Sequence, residues 1–177
     1  MIVAAVVIVL AGIVIYLKRE EATYKMLYPE LVSAASEEFS VPEELIFAII
    51  RSESGFDADA TSPAGARGLM QLMPATFEEI AWRLKEDADL SKMNDPYVSI
   101  RYGTFYISYL IRYFGNENTA VAAYNAGMGK VRSWLADSRY SDDGVTLKNI
   151  PYKETSDYVD KVCKARNKYQ KIIGGNR

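Results

Sequence analysis

Apolar residues recur at helical spacing along most of the chain. Over 43–54, Leu45, Ile46, Ile49 and Ile50 form one stripe, the i, i+3, i+4 pattern of an amphipathic helix. Pro74 opens another such segment, with Phe77, Ile80, Ala81 and Leu84 on one side. Asn94-Asp95-Pro96 reads as a cap followed by a proline in the first turn. The helix it starts carries Ile100, Ile107, Leu110 and Ile111 toward Phe114, and Gly115 stops it. Pro29 and Pro42 also sit where a proline opens a helix. A short Ala-rich helix is predicted over 119–126, closed by Gly127, and a last, basic helix over 158–173. Beyond Glu20 no Val/Ile/Thr alternation of strand length appears. The pattern therefore predicts a mainly α fold with little or no sheet. The longest irregular stretches are 54–68 and 137–150, and loops of that length in a compact domain are more often functional than idle.

The N-terminus has a different pattern. Ile2–Leu17 is an uncharged run of Val, Ile, Leu and Ala with few interruptions. As a helix it would be about 24 Å long, near the thickness of a hydrocarbon core once its flanks contribute. Tyr16 suits an interface, and Lys18 and Arg19 can snorkel. A buried helix or a cleaved signal is the alternative. No small-x-small cleavage site follows, so residues 1–19 are expected to form a transmembrane anchor or uncleaved signal, and residues 20–177 the domain. Basic residues that follow the run, with none before it, would by the positive-inside rule leave the domain in the cytoplasm.

Composition narrows the chemistry. The 177 residues, 49% hydrophobic and 25% charged, fit one ordinary globular domain. A net charge of −2 argues against nucleic-acid binding. The balance is uneven, with +4 over residues 151–177 and −6 before them. There is no histidine and one cysteine, Cys163. This removes Ser-His-Asp triads, Cys-His pairs, internal disulfides and His-based metal sites. Catalysis would have to use carboxylates, hydroxyls, amides or lysine, and neither metal nor cofactor is expected.

Glu53 stands out among the carboxylates. It continues the buried stripe four residues beyond Ile49 and eight beyond Leu45. A carboxyl leaving an apolar face at a helix C-terminus is desolvated and meets the negative end of the dipole. Both effects raise its pKa. A carboxyl still protonated near neutral pH can serve as a general acid. An ion pair with Arg51 or Arg83, or a plain surface glutamate, is the commoner case for such a pattern. The following loop places Ser54 and Ser62 about a turn. Gly65 and Gly68 allow close backbone approach. Gln71 puts an amide between Met70 and Met73, where a core residue would be expected. That amide is either a satisfied core group or a partner for a sugar hydroxyl or N-acetyl group. Asp57 and Asp59 sit in turn sequence, where capping is the ordinary role. No further acid occurs until Glu78.

Residues 53–76 resemble the signature of the lytic transglycosylase catalytic domain, of the soluble-transglycosylase type related to goose-type lysozyme. Asn94-Asp95-Pro96 through Ile100, Gly103 and Tyr106 is similar to that family's central helix. Ala122-Ala123-Tyr124-Asn125-Ala126-Gly127 resembles its Ala-Tyr-Asn-Ala-Gly motif, and Pro151–Thr155 with Tyr158-Val159 its last motif. The resemblance runs from about Tyr28 to Tyr169. Asp57-Ala58, Ser99 and Met128 depart from the usual residues. The resemblance implies a lysozyme-like helical domain with Glu53 as catalytic acid/base. It implies that Ser62 and Gln71 line a cleft, Met73 shapes it, Tyr124 and Asn125 lie near the scissile sugars, and Glu154 supports the far wall. Ser54 would fix the helix end. The implied substrate is peptidoglycan, cut at the β-1,4 bond between N-acetylmuramic acid and N-acetylglucosamine.

A retaining or inverting glycosidase usually needs a second carboxylate, and the loop after Asp59 offers none. One acid/base suffices if the muramic acid's own 6-hydroxyl attacks and leaves a 1,6-anhydro end. Among thirteen tyrosines, Tyr97, Tyr102, Tyr106, Tyr109 and Tyr113 are expected mainly to pack the core, and Tyr124 to face substrate. Peptidoglycan lies outside the membrane. The domain is therefore expected to be extracytoplasmic, tethered to the cell membrane through residues 2–17, against the charge rule. A muramidase of the same fold and a non-catalytic peptidoglycan-binding module are the alternatives. Nothing in the sequence names a protein partner.

Overall fold

A computed structural model of the chain describes residues 23–175 and the isolated positions 10 and 12. The apolar helix expected over 2–17, and the division at residue 19, lie outside the described residues. Among the described residues no helix is long and apolar enough to cross a membrane.

The described part contains seven α-helices and one 3₁₀ turn. They are α1 (Pro29–Phe39), α2 (Glu43–Glu53), α3 (Pro74–Leu84), α4 (Pro96–Phe114), α5 (Glu117–Ala126), α6 (Met128–Leu135) and α7 (Lys153–Gly175), with the 3₁₀ turn at Leu90–Lys92. Strand pairing among these residues is limited to two isolated bridges, Thr61 with Arg67 and Arg67 with Leu72. The mainly α expectation holds.

Helix α2 is the centre of the domain. The sequence gives it one apolar stripe, but every residue from Leu45 to Ile50 is buried. A helix covered on several sides must be enclosed by other helices. Helix α7 packs most extensively against it, through Tyr158, Val159, Val162, Ala165 and Tyr169. The Phe47 and Tyr169 rings meet at 5.4 Å. The Tyr169 hydroxyl donates to the Lys25 carbonyl at 2.8 Å, tying the start of the domain to its end.

Two helix starts lie upstream of the sequence expectation. Helix α5 begins at Glu117, because the Asn116 side chain accepts from the Thr119 N–H, an N-cap that satisfies an orphan donor. Helix α7 begins at Lys153, where a polar first turn, braced by a Lys153–Asp157 pair at 2.6 Å, hides the apolar period. Asp95 caps α4 by accepting from Val98 N–H at 3.0 Å, and Gly115 ends it at φ 68°.

Helix α4 supports the long loop from Ser54 to Met73. At Gly68, φ is 76° and an added Cβ would lie 2.2 Å from the Met93 carbonyl oxygen. No other residue type fits there. At Gly103 on α4, an added Cβ would lie 2.6 Å from the Met70 Cβ. Ser99 is buried and its hydroxyl accepts from Met70 N–H at 3.1 Å. Asn94 donates to the Ala58 carbonyl at 2.9 Å. These contacts press the loop onto α4 beside the end of α2.

Candidate active site

Glu53 is the last residue of α2 and is partly buried. Neither expected ion pair forms. Arg51 donates from Nε to the Thr23 carbonyl and stacks on the Tyr24 ring at 4.4 Å. Arg83 pairs with Glu79 at 2.7 Å. The partner of Glu53 is instead Tyr158, whose hydroxyl donates to Oε1 at 2.6 Å across 105 residues of sequence. Burial pushes the Glu53 carboxyl up from 4.5 to about 7, while the Tyr158 hydrogen bond and the Lys161 charge pull the other way. Desolvation wins, so the carboxyl is poised to give and take a proton near neutrality. Tyr158 is itself pushed well above its ordinary range by burial and by the Glu53 charge. It remains a neutral donor.

The loop residues divide their groups between structure and cleft. Ser54 closes the helix end: its hydroxyl donates to the Leu69 carbonyl at 2.9 Å and accepts from Phe56 N–H at 3.1 Å. Asp57 accepts from Asp59 N–H at 3.0 Å, the turn-forming role its sequence suggests. Ser62 accepts from Ala66 N–H at 3.0 Å, so its own O–H stays available to donate. Gln71 has φ 48°, and its amide nitrogen donates to both Ala60 and Gly68 carbonyls at 3.0 and 2.9 Å. Both amide protons are used, leaving only Oε1 to meet a ligand. Met73, at the α3 N-cap, is 41% exposed, and its thioether presents an apolar surface.

Tyr124 and Asn125 lie at the end of α5. The Tyr124 hydroxyl donates to the Met70 carbonyl at 2.9 Å, and its ring lies 5.3 Å from that of Tyr106. Burial, with the Glu53 charge next, holds its pKa well above the usual tyrosine range. Asn125 is exposed, and its Oδ1 accepts from the Thr155 hydroxyl at 2.8 Å. Its amide nitrogen therefore points its two donors elsewhere. Glu154 is exposed in the first turn of α7, next to Thr155 and one turn before Tyr158. The fold thus gathers Glu53, Tyr124, Asn125, Tyr158 and the 54–73 loop around one end of α2. Of the other tyrosines, Tyr102 is buried, Tyr106 and Tyr109 are partly buried, and Tyr97 and Tyr113 are exposed.

Sequence reasoning alone misses Tyr158, Thr155 and Ser99 as supports. A signal for Tyr158 exists: it shares the stripe of Val162, Ala165 and Tyr169, so its hydroxyl enters the interior and must find a partner. Among the described residues, no cluster of Cys, Asp and Glu could hold a metal ion.

Fold and site together define a lysozyme-like helical domain with one desolvated carboxyl at the end of its central helix. The chain belongs to the transglycosylase SLT domain family, whose model matches residues 30–145. It is 34% identical over 158 residues to the soluble lytic murein transglycosylase of Escherichia coli, covering 87% of this chain and 24% of that protein. It is 30% identical over 168 residues to the membrane-bound lytic murein transglycosylase C of Pectobacterium atrosepticum, covering 81% and 47%. An inactive mutant of the lytic transglycosylase Slt from Pseudomonas aeruginosa superposes with a TM-score of 0.78 at 37% identity, over 85% of this chain and 25% of that one. The chain thus spans about a quarter of the length of the first of these relatives.

Proposed function

We propose that this chain is a peptidoglycan lytic transglycosylase. The bond cut is the β-1,4 linkage from N-acetylmuramic acid to N-acetylglucosamine. The observation that carries the reading is the Glu53 carboxyl, raised to about 7 by burial while Tyr158 holds Oε1. Oε2 is then the oxygen that carries the proton toward the cleft. In the first step Glu53 gives this proton to the glycosidic oxygen. The bond from that oxygen to the muramic C1 breaks, and N-acetylglucosamine leaves with a free 4-hydroxyl. The oxocarbenium-like C1 is stabilised by surrounding dipoles. The 6-hydroxyl of the same muramic acid then attacks C1, and its proton returns to Glu53. Atoms balance without water, and the product carries a 1,6-anhydro end. The attack is intramolecular, so proximity does the work of a positioned nucleophile.

The surroundings of Glu53 support a single acid/base. The groups that act on it besides burial are a neutral phenol and an ammonium, and neither is a second carboxylate. Tyr158 and Lys161 stabilise the anion formed midway, so the same group can accept the second proton. Ser62 O–H, Gln71 Oε1 and the Asn125 amide are the polar contacts offered to the sugars. The Met73 thioether and Tyr124 ring are the apolar ones, and Glu154 is assigned to the far wall. The domain is placed outside the cytoplasm, tethered through residues 2–17, and a membrane-bound relative is consistent with this.

Glu53→Gln keeps the shape and removes the acid. Turnover of purified peptidoglycan is expected to fall by at least about 10²–10⁴-fold, the range for a lost general acid or base, with the helical spectrum intact. Unchanged turnover would overturn the assignment. Mass spectrometry of wild-type products should show anhydro-muramic ends; reducing ends would point to a hydrolase instead.

A further inference from the structure

A cavity of about 380 Å³ lies at the C-terminal end of α2, lined by Thr23, Lys25, Arg51, Gly55, Phe56 and Lys161. Three of these residues are cationic, and among the described residues no carboxylate lines the space. Among the described residues none of the three forms an ion pair. The hydrogen-bond acceptors of Arg51 and Lys161 are neutral. Arg51 Nε donates to the Thr23 carbonyl at 3.0 Å, and Lys161 Nζ to the Ser52 carbonyl at 2.7 Å. A carbonyl dipole does not neutralise a cation, so Arg51 keeps its charge for a ligand, and Lys161 shares its charge with the Glu53 carboxyl. The Arg51 guanidinium is braced on the Tyr24 ring at 4.4 Å, and its two terminal nitrogens form a planar donor fork suited to an oxyanion.

The wall of this cavity is strained. Phe56 is buried with φ 71°, directly after Gly55 at φ 61°. A non-glycine residue in the left-handed region is strained and persists where its surroundings impose it. The strained turn starts two residues past Glu53. The cavity reaches toward Glu53 through Lys161, which lies one turn beyond Tyr158 on α7 and whose charge acts on the Glu53 carboxyl.

We propose that this cavity is an oxyanion site that receives a carboxylate of the peptide stem borne by the glycan, and so favours peptide-bearing strands. The inference rests on the glycan reading of the cleft. Muramic acid carries its peptide through the lactyl group of the sugar that Glu53 cleaves, so the stem's carboxylates arrive beside the end of α2. A phosphate-bearing wall polymer would match the charge equally. The stem is favoured because Lys161 serves both places, lining the cavity and acting on the Glu53 carboxyl.

The test compares kcat/KM on purified glycan with and without peptide stems, so that any general loss cancels in the ratio. Lys25 is exposed and takes no part in the proton transfer, so Lys25→Glu should fold. Its preference for peptide-bearing over bare glycan is expected to drop about tenfold relative to wild type, and Lys161→Gln should move the ratio in the same direction. Equal losses on both glycans, or none, would overturn the site. Binding is read separately by chemical-shift mapping on the Glu53→Gln chain. A free acidic stem tripeptide should perturb residues 51–56, and Lys25→Glu should abolish this. Inorganic phosphate binding there without tripeptide binding would assign the cavity to a phosphate polymer and overturn the stem. Wild-type inactivity on both glycans would strike the proposed function, whereas tripeptide binding indifferent to Lys25→Glu would strike only this inference.

Discussion

At the scale of a residue, Glu53 shows how function and stability oppose each other. Its carboxyl titrates at about 7 in the fold against an ordinary 4.5. Below pH 4.5 it is protonated in both folded and unfolded chains and has no effect. As pH rises from 4.5 to 7 the unfolded chain loses the proton first, so the folded state loses stability, by on the order of 3 kcal/mol. Glu53→Gln removes that burden. The variant should melt above wild type at pH 8 and level with it near pH 4, as calorimetry at the two pH values would reveal. Tyr158→Phe should act on the same carboxyl in the opposite sense from a new positive charge. The lost hydrogen bond had held the pKa down, so the alkaline fall in kcat, where the acid form runs out, should move to higher pH. A shift to lower pH would contradict the assigned role of Tyr158.

At the scale of an element, the 54–73 loop has little regular structure and is held by single contacts to α4 and to Met93-Asn94 just before it. Gly68 is the tightest. Gly68→Ala would add strain at φ 76° and drive a Cβ to 2.2 Å from a backbone oxygen that cannot swing away. A loss of about 3 kcal/mol or more is expected in urea denaturation, together with loss of turnover as Gln71 and Met73 leave the cleft. Ser99→Ala is milder. It strands the buried Met70 N–H, which costs about 1–3 kcal/mol, and it shifts the carbonyl of the same Met70 that anchors Tyr124. The departure from the family's usual residue at position 99 is thus a change at a support of the cleft.

At the scale of the whole molecule, the family match ends at residue 145, but the domain does not. Helix α7 covers α2 with Val159, Val162, Ala165 and Tyr169 and delivers Tyr158 to Glu53. A chain shortened to residue 150 should fail to fold cooperatively, with weak helical circular dichroism and no thermal transition. Elsewhere Arg101 joins α1 to the segment after α3, pairing with Glu38 at 2.7 Å and Glu86 at 2.8 Å. Tyr102 adds a hydrogen bond to Glu86 at 2.9 Å. Most of this organisation could be read in advance at the level of elements. Periodicity and prolines marked the other helices, but the short α6 over Met128–Leu135 went unread, and the polar starts of α5 and α7 escaped as well.

Local pattern by itself determined the helices other than α6, the caps at Asp95 and Gly115, and the oddity of an acid on a greasy stripe at position 53, because these depend on residues a few positions apart. Tertiary structure alone decided what that acid touches. Tyr158 is 105 residues away, Ser99 meets Met70 across 29, and the cations at 25, 51 and 161 share one cavity. Such pairings arise when amphipathic faces find one another, and spacing along a sequence carries no record of which faces will meet.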